Sequence, residues 1–170
     1  QMRFVGADAQ AGILGNDELS GKINYLVGNN PAQWRSGVPT YSRVRVSGIY
    51  PGVNVVYYGN QQQVEYDFNL AAGVSPDAIA IRFSGADKVS VNARGELVLT
   101  VGRNAIHQLK PVIYQTVDGV RKKVTGGYKL LDDTTVAFAV GPHNPALPLV
   151  IDPVLSYSTY FGGTAGDAAW

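Results

Sequence analysis

Glu65 and Asp67 are the carboxylates whose spacing best suits chemistry. They stand two residues apart in an alternating stretch, so on a β-strand they share a face, with Cα atoms about 6.5–7 Å apart. Such a pair can act as the acid and base of a glycoside hydrolase or bind a hard cation such as Ca²⁺. The competing interpretation is a polar strand face that pairs with Arg43 or Arg45. A single alternating strand favours this structural interpretation.

The other reactive side chains form no catalytic pattern. His107 and His143 are the only histidines, and neither has the spacing of a zinc site. The chain has no cysteine, which excludes a thiol nucleophile, and it has no Gly-x-Ser-x-Gly or phosphate-binding glycine motif. Structural roles are expected for both histidines. We therefore predict a protein that is not an enzyme, with no catalytic residue, no metal site and no cofactor.

Tyrosines give the sequence a candidate binding surface. The chain has ten of them, and the consecutive Tyr57 and Tyr58 face opposite sides of a predicted strand. At least one ring is therefore expected outside the core, near Gln62. Exposed aromatics beside amides bind sugars or partner proteins. With Glu65 and Asp67, these residues form the predicted binding set, and ordinary packing within the sheet is the alternative.

Charge excludes two classes of partner. The formal net charge of +1 gives no electrostatic case for nucleic acid or for an anionic membrane surface. No apolar run approaches the roughly 20 residues of a spanning helix, so no membrane insertion is expected. Arg121, Lys122 and Lys123 form a short basic run that can contact a polyanion. Charges on an edge strand also prevent edge-to-edge aggregation, and this second role is favoured.

The elements that must position these residues are β-strands. Apolar residues alternate at Val64, Tyr66, Phe68 and Leu70, and turn signals recur about every eight to twelve residues. The sequence predicts an all-β antiparallel β-sandwich of about a dozen short strands, with a closed or partly closed β-barrel as the alternative.

Three local features are expected to interrupt the strands. Residues 8–20 and 28–39 are predicted to be irregular. A single helical turn is predicted at Pro31 with Asn30 as its N-cap, and another short turn at Ser75, Pro76 and Asp77. Asp118 and Gly119 predict a type I′ hairpin turn.

The domain is expected to span residues 1–153, because Ile151-Asp-Pro153 is a natural stop. Residues 154–170 are predicted to be a linker or the first strand of a following β-propeller repeat. Their aromatic strand can join an exposed sheet edge, and a contact of this kind between copies would build a filament. The predicted interface residues are Tyr157, Tyr160, Phe161 and Trp170.

Ordered motifs along the chain carry a family resemblance. They are Met2-Arg-Phe-Val-Gly-Ala7, Asn24-Tyr-Leu-Val-Gly-Asn29 followed by Trp34, Tyr50-Pro-Gly-Val53, Tyr57-Tyr-Gly-Asn60, Glu65-Tyr-Asp-Phe68, Lys110-Pro-Val-Ile-Tyr-Gln115, Leu149-Val-Ile-Asp-Pro-Val-Leu155 and Tyr157-Ser-Thr-Tyr-Phe-Gly-Gly163. From Met2 to Gly163 the chain resembles the uncharacterised domain that stands upstream of SBBP-type β-propeller repeats in exported bacterial proteins. In that family the last motif opens the first repeat, with leucine where this chain has Phe161.

The resemblance implies an extracellular or cell-surface module of structural or adhesion type, without an established activity. The lack of cysteine agrees with export, because stray thiols mispair under oxidising conditions. We expect a non-enzymatic module that docks on following propeller repeats or on copies of itself. The alternative is a carbohydrate-binding module that holds a polysaccharide on exposed tyrosines, and a glycoside hydrolase that uses Glu65 and Asp67 ranks third.

Overall fold

The chain forms β-strands along nearly all of its described length. A computed structural model describes residues 1–60, 63–153 and 155–156. Its strands are β1 (Met2–Phe4), β2 (Gly12–Tyr25), β3 (Arg35–Tyr50), β4 (Val53–Asn60), β5 (Gln63–Leu70), β6 (Ala80–Phe83), β7 (Lys88–Val91), β8 (Leu97–Val101), β9 (Asn104–Gln108), β10 (Val112–Val117), β11 (Val120–Val124), β12 (Gly126–Leu130), β13 (Thr135–Val140), β14 (Leu149–Asp152) and β15 (Leu155–Ser156). Short 3₁₀ turns cover Pro31–Gln33 and Pro76–Ala78. No helix in these ranges has the length and apolar character needed to cross a membrane.

The strands form three antiparallel sheets. The largest has seven strands in the order β11-β10-β14-β5-β4-β3-β2. Two sheets of four strands have the orders β1-β6-β13-β12 and β15-β9-β8-β7. One face of the seven-stranded sheet packs against both smaller sheets through a single apolar core. The predicted all-β sandwich is confirmed, and none of the sheets in the described part of the chain closes into a barrel.

Buried side chains of β5 join the layers. The Phe68 ring lies 5.6 Å from that of Phe138 on β13 and 5.3 Å from that of Phe4 on β1, both edge to face. Gln108 Nε2 donates to the Tyr66 hydroxyl at 3.0 Å and to the Pro153 carbonyl at 3.2 Å. This buried amide connects β9 to the large sheet. Burying an apolar side chain as large as Phe68 contributes about 1.5–3 kcal/mol. Because Phe68 contacts one of the smaller sheets and Tyr66 contacts the other, β5 is the centre of the fold.

The turn signals give the predicted turns. Asp118 and Gly119 both have positive φ angles, 50° and 77°, as a type I′ turn requires. Asn30 Oδ1 accepts a hydrogen bond from the Ala32 amide at 3.1 Å. Ser75 Oγ accepts one from the Asp77 amide at 3.2 Å. Both predicted turns therefore form, the first with its predicted cap Asn30 and the second with Ser75 as its cap.

The prediction of irregular structure at residues 8–20 is largely wrong, whereas the one at residues 28–39 is confirmed as far as Trp34. The long strand β2 runs through Gly12–Tyr25, and β3 begins at Arg35. A bulge in β2 hides the alternation. Glu18 pairs with Tyr41 and Lys22 pairs with Pro39, so an advance of four residues along β2 lies opposite an advance of two along β3. Asp17 also has a positive φ of 56°. These irregularities break the period of two that identifies a strand.

Strand β5 follows its predicted alternation only in part. Tyr66, Phe68 and Leu70 are buried as predicted, but Val64 is 63% exposed. Val64 pairs with Gly59 near the end of the β4–β5 hairpin, where the hairpin extends past the core. Glu65, predicted on the polar face, is only 8% exposed.

Candidate functional site

The predicted binding residues lie on both faces of the seven-stranded sheet. Tyr57 pairs with the buried Tyr66, whereas Tyr58 pairs with Glu65. Tyr57 is therefore on the core face, and Tyr58, Glu65 and Asp67 share the outer face. The remaining predicted residue, Gln62, lies outside the described residues.

Tyr57 packs as part of the core. Its ring lies 6.0 Å from that of Tyr66, and burial raises the pKa of its hydroxyl. Burial also raises the pKa of Tyr66 to about 12. Half-buried Tyr57 is thus engaged by a neighbouring ring and does not present an open face for stacking.

A carboxyl pair forms on the outer face where β5 meets β14. Ile151 pairs with Phe68, so the next residue, Asp152, lies opposite Asp67. The Tyr58 hydroxyl donates to Asp67 Oδ1 at 3.1 Å. Sequence reasoning missed Asp152, because strand order alone brings it to Asp67. Its position in the Ile151-Asp-Pro153 stop gave no signal of this contact.

Burial and mutual repulsion make this pair bind a proton more tightly than an exposed carboxyl does. Burial, followed by the neighbouring Asp67 and Glu65 carboxylates, raises the pKa of Asp152 to about 6, and Arg121 opposes them. Burial also raises the pKa of Asp67, while the hydrogen bond from Tyr58 lowers it. Asp152 Oδ1 is buried without a hydrogen-bond partner. Within the described ranges, no three His, Asp or Glu side chains are placed to hold a metal ion.

The predicted basic run occupies one edge of the large sheet. Arg121, Lys122 and Lys123 lie on β11, the outermost strand on that side. The Arg121 guanidinium stacks 4.5 Å above the ring of Tyr114, a cation–π contact. The exposed run therefore flanks the carboxyl pair and covers the sheet edge.

The two histidines lie apart from the carboxyl pair. His107 Nδ1 is 3.5 Å from Glu96 Oε2. His143 Nδ1 lies 2.9 Å from the Gly141 carbonyl oxygen, and its side chain lines a cavity of about 250 Å³. The structure does not bring them together.

The second candidate region is a two-stranded arm, residues 16–42, at the opposite edge of the large sheet. Strand β3 pairs with β4 only over residues 43–50. The remainder of β3 pairs with β2 alone. The arm therefore extends from the sandwich without a covering layer.

Local hydrogen bonds hold the arm in its shape. Trp34 Nε1 donates to the Gly28 carbonyl at 3.0 Å, and the Gly37 amide donates to Asn24 Oδ1 at 2.7 Å. Nearer the sandwich, the Tyr41 ring lies directly on Gly15, where an added Cβ would be 2.5 Å from ring atoms. Glycine at this position lets the aromatic ring cover the backbone.

The arm carries large apolar side chains that face solvent. Seven of them are 40–75% exposed: Leu19, Ile23, Tyr25, Leu26, Val27, Trp34 and Tyr41. At its base, Ile13 and Leu14 are 72% and 51% exposed. Scattered apolar residues are normal on a surface, but a contiguous group marks an interaction site. The Ile, Leu and Tyr side chains between positions 13 and 27 could have indicated this strand in the sequence, but the bulge breaks their alternation.

The predicted C-terminal interface cannot be placed beside the arm. Tyr157, Tyr160, Phe161 and Trp170 lie outside the described residues. The segment before them, Leu155 and Ser156, pairs with Gln108 and His107 of β9. Residues 155–156 thus extend one of the four-stranded sheets of the same chain.

Comparison with known proteins gives a family for this sandwich. Residues 1–154 match the family described as a domain of unknown function, DUF7948. Neither a curated protein nor a solved structure matches the chain. The matched residues include all the strands from β1 to β14, and with them the carboxyl pair and the arm. The chain therefore belongs to the DUF7948 family of uncharacterised domains.

Proposed function

We propose that this chain is a non-enzymatic extracellular module of structural or adhesion type, which docks on a second copy of itself through the β2–β3 arm. The observation that carries the proposal is the group of exposed apolar side chains on a long edge strand. A long apolar edge strand is a template for pairing with another chain. An isolated two-stranded hairpin is at best marginally stable in water, so a partner that covers the arm also stabilises it.

The order of residues along β2 and just beyond its end supports a second copy as the partner. An antiparallel contact with a twofold axis at Ser20 places each residue opposite one equally far from Ser20. Leu14 then meets Leu26, and Ile13 meets Val27. Apolar residues thus face apolar residues at both ends of the contact, as an isologous interface requires.

Charge follows the same symmetry. Glu18 and Lys22 stand at equal distances from Ser20, so each meets the opposite charge of the other copy. Within one chain they lie 3.7 Å apart with their side chains about half exposed. An exposed pair of this kind contributes only about 0.2–1 kcal/mol. Replacing the ion pair within one chain by the Glu18–Lys22 pairs between copies therefore costs little free energy.

The bulge between Glu18 and Lys22 fixes where backbone pairing can occur. Bulges twist an edge strand away from regular pairing. In the proposed contact the bulges of both copies lie at the axis, and residues 12–16 of each copy, which pair regularly with β3, meet residues 24–28 of the other. Such an isologous contact uses the same surface on both copies, so it closes as a dimer.

The wider context of this proposal is an exported bacterial protein in which the domain precedes SBBP-type β-propeller repeats. The ordered motifs from Met2 to Gly163 support that context. Docking through the C-terminal aromatic residues remains part of the proposal, as the means of contacting a following domain.

The alternative functions find less support around the predicted residues. A carbohydrate platform requires free aromatic faces, whereas Tyr57 packs on Tyr66 and the Tyr58 hydroxyl bonds to Asp67. A hydrolase requires two carboxylates that reach a substrate, but Glu65 is only 8% exposed. The docking proposal instead uses surface that is open to solvent.

Site-specific disulfide formation tests the proposed contact, because the natural chain has no cysteine. Ser20→Cys places the two thiols of a dimer at the twofold axis, within the about 7 Å between Cα atoms that a disulfide allows. Mild oxidation is expected to give a covalent dimer.

Val27→Cys is the matched control, because its thiols lie on opposite sides of the axis. This variant should stay monomeric on a non-reducing gel. Mixed with Ile13→Cys, it should give a heterodimer, since the symmetry places these two exposed residues opposite each other. Equal cross-linking of Ser20→Cys and Val27→Cys, or a strictly monomeric wild type in sedimentation equilibrium, would contradict the proposal.

A further inference from the structure

Two arginines face each other on the outer surface of the sheet that contains β1 and β6. Arg3 pairs directly with Arg82 across these antiparallel strands. Directly opposed residues have Cβ atoms about 4.5–5.5 Å apart, and like charges in such positions destabilise a sheet. The arrangement is unfavourable unless another group compensates it.

The described residues supply no compensating carboxylate. No Asp or Glu among them lies within 4.0 Å of either guanidinium. Arg82 is held in position, because its Nε donates to Thr135 Oγ1 at 3.3 Å and Thr135 is only 4% exposed. The guanidinium of Arg82 is thus anchored at Nε.

Both arginines line a cavity. Its volume is about 370 Å³, and Gln1 and Ser84 also contribute to its wall. Small-molecule sites typically measure about 300–1,000 Å³. This cavity therefore has room for one small polar molecule beside two unpaired cations.

We propose that the cavity between Arg3 and Arg82 binds an oxyanion, a carboxylate or phosphate carried on a molecule the size of a single sugar. The planar guanidinium presents donors in a geometry that matches both groups. One oxyanion between the two forks would neutralise their repulsion and receive hydrogen bonds from both. The site lies in a different sheet from the arm, so it is independent of the docking proposal.

The test uses thermal unfolding of the full chain with three probes: glucuronate, inorganic phosphate, and glucose as the uncharged match for glucuronate. Ionic strength is held constant with sodium chloride. Glucuronate or phosphate is expected to raise the Tm saturably, whereas glucose is not. The stronger of the two anions identifies which oxyanion the site prefers.

Arg3→Gln and Arg82→Gln should each weaken the binding by about tenfold or more, because each removes a charged hydrogen-bond donor. Without ligand, Arg3→Gln should unfold at or slightly above the wild-type Tm, since the repulsion is relieved. A variant that merely damages the fold would lower that Tm, so Arg3→Gln is the decisive one, because Arg82→Gln also loses the hydrogen bond from Nε to Thr135 Oγ1. The matched control is Arg103→Gln, an exposed arginine in the β8–β9 turn, which should leave binding unchanged.

Three outcomes overturn the proposal. They are no saturable stabilisation by either anion, equal stabilisation by glucose, and an equal response in Arg103→Gln and Arg82→Gln. Amide chemical shifts in an NMR titration provide the second readout, with the largest changes expected at Arg3, Arg82 and Ser84. Shifts spread evenly over all exposed arginines would likewise reject the site.

Discussion

The two edges of the seven-stranded sheet are built in opposite ways. Strand β11 has five residues, three of them consecutive cations. Strand β2, at the other edge, has 14 residues and exposes Ile13, Leu14, Leu19, Ile23 and Tyr25. Among the described strands, each of the two has a neighbour on one side only. Only β11 has the row of charges that discourages another strand from pairing there.

This difference is what the proposed docking through β2 requires. The bulge and the Tyr41 ring over Gly15 limit uncontrolled pairing in the middle of β2, but they do not cover its apolar side chains. If both edges of the sheet had to be protected from pairing with another chain, both edge strands would be expected to have rows of charged side chains. The contrast between the two edges therefore supports docking at β2, and substitutions at either edge can test it.

The largest effect is expected from charges placed at Leu14 of β2 and at Leu26, the residue after the end of β2. The double substitution Leu14→Glu and Leu26→Glu opposes carboxylates where two leucines would meet between copies. We expect the dimer to dissociate completely at micromolar protein concentration in sedimentation equilibrium. The matched control is Val120→Glu on β11, since Val120 is 62% exposed on the edge that is not proposed to bind. Loss of the dimer in Val120→Glu as well would erase the distinction between the edges.

A smaller effect is expected from reversing single charges beside Ser20. Glu18→Lys and Lys22→Glu each place like charges opposite each other in a symmetric dimer, so each alone should dimerise about tenfold more weakly. A mixture of the two variants restores opposite charges and should form a heterodimer with near wild-type affinity. If the only role of the pair were the contact within one chain, mixing would not restore the affinity.

A third effect is expected at β11, in the opposite direction. Replacing Arg121, Lys122 and Lys123 together by threonine removes the charges that protect this edge and raises its strand propensity. The variant should form larger assemblies in light scattering, on top of the dimer. Arg94→Thr, Arg103→Thr and Lys110→Thr together remove the same number of charges from exposed loops between strands. Equal aggregation of the two triple variants would show that net charge, not edge position, controls solubility.

The fold class was predictable because short-range signals determine it. The Asp118-Gly119 turn, the caps at Asn30 and Ser75, and the alternation of Tyr66, Phe68 and Leu70 each depend on a few neighbouring residues. The arm was not predictable in the same way. Its strands contain a bulge at residues 18–22 and positive φ angles at Asp17 and Gly37, and each of these interrupts the period that identifies a strand.

The candidate site was predictable only where its residues are neighbours in sequence. Glu65 and Asp67 were visible as a pair on one strand. Their approach to Asp152 depends on β14 lying beside β5, and the opposition of Arg3 and Arg82 depends on β1 lying beside β6. Strand order in a sandwich is set by the whole chain, so no local pattern reveals these contacts.

The smallest effect is expected midway between the two edges, where Asp152 meets Asp67. The folded-state pKa of Asp152 is raised from 3.8 to about 6, so the folded state binds a proton more tightly than the unfolded state. The resulting stabilisation is present below the unfolded pKa and is lost as the pH rises through about 6. Asp152→Asn keeps the shape without the charge. At pH 7.5 it should therefore increase the free energy of unfolding by about 1 kcal/mol, a value that allows for solvent screening of this partly exposed group.

That gain should disappear as the pH falls towards 4, where the wild-type carboxyl is itself protonated. Urea unfolding of wild type and variant at both pH values measures it, and Asp133→Asn, an exposed residue of the β12–β13 turn, is the control. Dimerisation should be the same in Asp152→Asn and wild type, because the carboxyl pair lies strands away from β2. A change in dimer affinity would mean that the sheet transmits strain from its centre to that edge, so the exposed side chains of β2 alone would not explain association.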